Sequence, residues 1–161
     1  MKNKVKKYSI LLLLVSSLVG IDIITKVFFS DVYIKIIGDF FVFKSTINDG
    51  AGLGILSGQT ALLIIMSIVF IIAFIVFDIF YKNNSKLYFI ALNFILAGAI
   101  GNLIDRLFLG YVRDFIYINL PFMPYYFNVA DVFITVGAVL LLIEILFKRE
   151  PKKNGNEISS K

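Results

Sequence analysis

Apolar residues dominate four long stretches of the chain, at residues 8–29, 60–81, 87–107 and 128–147, and polar residues, glycine and proline gather between them. Each stretch can cross a bilayer as a helix, which takes about 20 residues at 1.5 Å of rise per residue. The first follows a basic head, "MKNKVKK", as a signal peptide would, but its apolar run continues to Phe28 and Phe29 and exceeds a signal core, so it is read as a retained span. Residues 30–59 have a different texture. "VYIKIIGDFFVFKSTIN" is dense in β-branched and aromatic residues on either side of a Gly-Asp turn signal, which predicts a β-rich segment lying on the membrane surface. Residues 108–127, with Gly110 and two prolines, read as a loop, and residues 151–161 as a polar tail. The predicted fold class is an all-α polytopic membrane protein: four transmembrane helices with a small extracytoplasmic β-rich segment, one domain over residues 1–150.

Composition changes this picture little and orientation more. Of 161 residues 59% are hydrophobic, against roughly 45–50% in a soluble domain, and the remainder is too short for a separate soluble catalytic unit. Lys2, Lys4, Lys6, Lys7, Lys82, Lys86, Lys148, Arg149, Lys152, Lys153 and Lys161 fall on one side of the predicted spans, and only Lys35, Lys44 and Arg113 on the other. Eleven against three places both termini in the cytoplasm. The net charge of +5 follows from that orientation and from attraction to anionic lipid, so no nucleic-acid partner is invoked.

Charged groups within a span are costly and mark work, pairing or capping. Asp22 and Lys26 share a helix face at the outer end of the first span, as do Asn102, Asp105 and Arg106 at the outer end of the third. Asp114 follows shortly, and Asp131 opens the fourth span. Only Asp78 and Glu144 stand apart, at the cytoplasmic ends, where they are expected to pair with Lys82 and Lys148. Structural roles account for much of this set: an ion pair for Asp22 with Lys26, close helix packing for Gly98 and Gly101, and a capping box for Asn128 with Asp131.

With no Cys and no His, thiol nucleophiles, His-based triads and His-ligated zinc are excluded. Carboxylate, Lys, Ser and Tyr chemistry remains. Asp114 and Asp131 form the obvious couple, since two close carboxylates share a proton and let one act as base while the other donates. Two other classes stay open: an ion or proton translocator using the buried carboxylates, and a Ser/Lys protease built from Ser45 or Ser57 with Lys26 or Lys44.

Five ordered blocks, "DIITK", "NDGAGLGIL", "GNLIDR", "VRDF" and "FNVAD", resemble the motifs of the bacterial lipoprotein signal peptidases, or type II signal peptidases, over the whole chain. The resemblance implies an intramembrane aspartic endopeptidase of the bacterial cytoplasmic membrane, with its active site near the outer leaflet. Its substrate would be a prolipoprotein cleaved just before a diacylglyceryl-modified cysteine. Carried over by position, it makes Asp114 and Asp131 catalytic, gives Asn48, Gly50, Asn102, Arg106 and Asn128 to substrate binding, and leaves Asp22, Lys26 and Asp105 in support. No metal and no cofactor is implied; membrane lipids and the lipidated substrate are the expected partners of a monomer. The chain departs from the family pattern at Ile23, Ile47, Gly52, Leu53 and Arg113, and Arg113 is expected to favour the ionised form of its neighbour Asp114.

Overall fold

The computed structural model describes residues 2–52, 55–81 and 85–147. Four helices long and apolar enough to cross a membrane carry a four-stranded antiparallel sheet. In chain order they are α1 (Lys2–Phe28), β1 (Tyr33–Ile37), β2 (Phe41–Asn48), α2 (Thr60–Tyr81), α3 (Lys86–Leu109), β3 (Val112–Asn119), β4 (Pro124–Phe127) and α4 (Val129–Phe147). Both strand pairs connect a helix that ends to a helix that begins at the same end of the bundle, so the whole sheet sits there. The predicted fold class holds.

Helix α3 is the axis of the bundle: 61% of its apolar window is buried, against 6% for α2. Small residues allow its close approach to α4. A side chain at Gly98 would collide with the Ala130 carbonyl and Ile134, and one at Gly137 would lie 2.9 Å from the Ala91 oxygen. Close backbone approach of this kind drives helix association where lipid offers no hydrophobic gain. Val15 and Val19 of α1 pack against Tyr88, Leu92, Leu96 and Ala97 of α3. At the opposite end from the sheet, Ser85 caps α3, accepting from the Leu87 and Tyr88 backbone N–H groups, and donates its hydroxyl to Glu144 of α4 at 2.7 Å.

Glu144 is buried and meets Ser85; its expected partner Lys148 lies outside the described residues. Asp78 meets Lys7 of α1 at 3.4 Å, and its expected partner Lys82 also lies outside them. Asn93 of α3, buried with its amide on the Phe89 carbonyl at 2.7 Å, is a further polar group away from the sheet end, and local back-bonding makes it tolerable there.

Residues 108–127 are not a loop. Gly110, at φ 82°, closes α3 in the left-handed conformation, and the chain turns at once into β3, the strand that pairs with both β2 and β4. "VRDFIYIN" has the β-branched and aromatic content of a strand, and the punctuation around it hid that. Pro124 opens β4, an edge strand, where a missing N–H costs no ladder bond. The sheet is tied to the bundle by Phe29, just past α1, whose ring stacks on Phe115 of β3 with centroids 4.8 Å apart.

Candidate active site

Asp114 is fixed by the centre of the sheet. It lies on β3 opposite Thr46 of β2 and is almost wholly buried. Asp131 is in the first turn of α4. Between them stands Asn128, whose carbonyl oxygen accepts from Val132 N–H, as an N-cap residue's does. Its Oδ1 accepts from the Asp131 backbone N–H at 3.0 Å, and its own N–H donates to Asp131 Oδ2 at 3.1 Å. The capping box is therefore formed, with Asp131 in the role Glu or Gln more often fills.

The same Asn128 reaches the other carboxylate. Its Nδ2 donates to Asp114 Oδ1 at 2.6 Å and to Asn102 Oδ1 at 3.2 Å. Asn102 then donates through Nδ2 to Asp131 Oδ1 at 2.8 Å, and Asn48 donates to Asp114 Oδ2 at 2.9 Å. Each aspartate is thus held on both of its oxygens by amide donors, Asp114 by Asn48 and Asn128, and Asp131 by Asn102 and the backbone N–H of its own helix cap. These bonds lower the proton affinity of Asp114, but burial and the charge of Asp131 outweigh them and push it up to about 6.

Beneath the pair, Lys26 is fully buried. It lies 2.8 Å from Asp22 Oδ2, donates to Asn102 Oδ1 at 3.0 Å and stands 3.5 Å from Asp105. Asp22 also accepts from the Ala130 backbone N–H at 2.8 Å, linking α1 to the first turn of α4. Gly101 makes room for this: a side-chain carbon there would sit 2.5 Å from Asp22 Oδ2. Arg106 reaches over the site and donates to the Gly50 carbonyl at 3.0 Å, while the Gly50 N–H is turned to Asn48 Oδ1 at 3.0 Å. Leu53 and Gly54 of the same glycine-rich stretch lie outside the described residues.

All ten residues singled out from the sequence are therefore brought to one end of the bundle. Arg113 is not aimed at Asp114. Successive strand residues face opposite ways, so its guanidinium turns to Asp105, at 2.7 Å from Oδ1 and 3.3 Å from Oδ2, and any influence on the pair passes through Asp105. Of the serine and lysine alternatives, Ser57 donates to Asp49 at 2.7 Å, Lys44 lies at the Tyr126 hydroxyl, and Lys26 is held by Asp22 and Asn102. A residue the sequence did not single out, Tyr125 of β4, lines a cavity of about 320 Å³ together with Asn48, Asp114 and Met123. Burial and then the Asp131 and Asp114 charges hold its phenol above the usual value. The "YYF" run just before "FNVAD" carried the signal, within a stretch read as loop.

Comparison with known proteins shows the family. The family model described as signal peptidase (SPase) II matches residues 14–147. A lipoprotein signal peptidase of Clostridium novyi is 42% identical over 115 residues, covering 70% of this chain and 78% of the relative. One from Caldanaerobacter subterraneus subsp. tengcongensis is 46% identical over 113 residues, covering 70% and 76%, and one from Staphylococcus aureus is 36% identical over 121 residues, covering 74% of each. Among solved structures, a bacterial membrane enzyme superposes with a TM-score of 0.79 at 31% identity over 95% of both chains. A second gives 0.75 at 32% identity, over 88% of this chain and 95% of the other. The chain belongs to the signal peptidase II family and is a bacterial membrane peptidase.

Proposed function

We propose that this peptidase is an intramembrane aspartic endopeptidase that removes signal peptides from diacylglyceryl-modified bacterial prolipoproteins, cutting just before the lipidated cysteine. The observation that carries the reading is the pairing of Asp114 and Asp131 through one side chain, Asn128. A raised proton affinity at Asp114, in part from the Asp131 charge, suits a pair that holds one proton between two carboxyl groups.

In this mechanism a water is held by the pair. The ionised carboxyl takes a proton as the oxygen attacks the scissile carbonyl, and the protonated one donates to the developing oxyanion. Collapse of the tetrahedral intermediate then breaks the C–N bond as a carboxyl protonates the leaving amine. No metal or cofactor takes part. Asn48 and Asn128 orient Asp114, Asn102 and Asn128 orient Asp131, and Arg106 fixes the bend at Gly50 beside the groove in which the peptide lies. Both termini face the cytoplasm, so the site opens at the outer leaflet of the cytoplasmic membrane, where a cysteine anchored by two acyl chains presents its preceding bond. The test is turnover of a diacylglyceryl peptide by the purified chain with and without chelator: undiminished cleavage with chelator is expected, and its loss would overturn the aspartic reading.

A further inference from the structure

Lys26 has three acceptors within reach, yet it is not shared equally among them. Asp22 Oδ2 and Asn102 Oδ1 lie at 2.8 and 3.0 Å, and Asp105 Oδ2 at 3.5 Å. Asp105 is occupied from the other side by Arg113, with Nη2 at 2.7 Å from Oδ1 and both Nε and the backbone N–H on Oδ2, at 3.3 and 3.0 Å. A guanidinium fork across both oxygens of a buried carboxylate outcompetes a single ammonium. The consequence falls on Asn102. With its Oδ1 taking the Lys26 ammonium at 3.0 Å and the Asn128 amide at 3.2 Å, Asn102 turns its amide nitrogen to Asp131, where it donates at 2.8 Å; a flipped amide would set NH₂ against the charged Lys26 and oxygen against carboxylate.

We infer that Arg113 is a positioning residue of this peptidase: by holding both oxygens of Asp105 it commits Lys26 to Asn102, and so keeps Asn102 donating to Asp131. The inference rests on the aspartic reading above. Its electrostatic side follows from the groups that surround the pair: Asp22 and Lys26 from α1, Asp105 and Arg106 from α3, and Arg113 itself from β3. Lys26, Arg106 and Arg113 carry three positive charges against the two negative ones of Asp22 and Asp105. Without Arg113 that positive excess beside the pair is lost, which strengthens the pair's hold on the shared proton.

The experiment compares Arg113→Gln and Arg113→Lys with the parent, as full chains in lipid vesicles with a diacylglyceryl peptide. For Arg113→Gln a fall in kcat of about tenfold is expected, with KM within twofold, and the basic limb of the kcat profile moves to higher pH. Arg113→Lys restores the charge without the fork, so the limb returns while kcat stays several-fold below the parent. A purely structural arginine would lower thermal stability and leave the limb in place. Parental kcat and pH profile in Arg113→Gln overturns the inference; if that variant does not fold, parental kcat in Arg113→Lys does so. Asp114→Asn and Asp131→Asn in the same assay separate the two ideas: turnover by either sinks the aspartic reading, whereas inactivity of both beside an unaffected Arg113→Gln sinks only the role of Arg113.

Discussion

Asn128 places its amide nitrogen 2.6 Å from Asp114 Oδ1, and the same residue, as the N-cap of α4, both gives a backbone hydrogen bond to Asp131 and accepts one from it. A helix start and an active-site geometry are therefore one structure, and changes that loosen the cap displace the pair. Asn128→Ala is expected to cost about 1 kcal/mol of stability as a lost cap. It should cost about a hundredfold or more in kcat, because both carboxylates lose their common reference. A kcat loss no larger than the fraction unfolded would show that the cap is all Asn128 provides.

Asp114→Asn and Asp131→Asn each remove a proton-transfer group while keeping size and one of the two acceptor oxygens, so turnover should vanish while the folded bundle remains. Substantial turnover by Asp131→Asn, measured on folded protein, would reduce that residue to its capping role.

The raised proton affinity of Asp114 predicts two pH effects. Its ordinary value of 3.8 becomes about 6 in the fold, so the stability it contributes is full below the ordinary value and is lost as pH rises through about 6. The difference amounts to about 3 kcal/mol. Melting of the parent should therefore decline across this window, and that component should be absent in Asp114→Asn. A bound peptide adds desolvation, the first cause of the shift, so the basic limb of kcat should lie at higher pH than that of kcat/KM. Coincident limbs would contradict burial as the cause.

Two glycines make a matched pair for testing packing. A methyl group at Gly101 would lie 2.5 Å from Asp22 Oδ2 and 3.4 Å from the Ala130 Cβ, whereas at Gly20 nothing stands within 4 Å. Gly101→Ala should destabilise by about 1–3 kcal/mol and impair turnover through the contact of Asp22 with α4; Gly20→Ala should be neutral or stabilising. Equal melting temperatures for the two would refute the close approach.

The distribution of lysine and arginine predicts that a reporter inserted between Lys82 and Lys86 reads as cytoplasmic and one inserted near Asp39 as exterior. The reverse result would put Asp114 and Asp131 on the inner side of the membrane.

The four spans were legible because length and apolarity decide them almost alone, and α2 is found at its predicted bounds. Asp114 and Asp131 were legible because carboxylates are conspicuous in an apolar context. What sequence could not supply was partnership across elements. Lys26 is four residues from Asp22 and was paired correctly, but its bond to Asn102 spans 76 residues. The sequence suggested only neighbours one helical turn away for Glu144 and Asp78, and could not show their contacts with Ser85 and Lys7, each a tertiary contact. Strands β3 and β4 were missed because Gly110, Pro121 and Pro124 outweighed the residues between them, although each stands where a strand can begin, end or turn.

The pairing of β2 with β3 slips once. Phe43 lies opposite Ile116 and Thr46 opposite Asp114, so β2 spends two residues where β3 spends one. Because side chains alternate, that single extra residue exchanges the two faces of the strand beyond it and brings Asn48, rather than Ile47, to the side of Asp114. The groove is consequently sensitive to chain length in a way no substitution reproduces. Deleting either Lys44 or Ser45 would only flatten the bulge and keep Thr46 opposite Asp114, whereas inserting one residue there would leave every residue near the carboxylates chemically unchanged and still present an isoleucine where Asp114 now finds an amide. A single inserted residue at this point is thus a route by which related enzymes could lose that donor in one step, while the helices around it stay as they are.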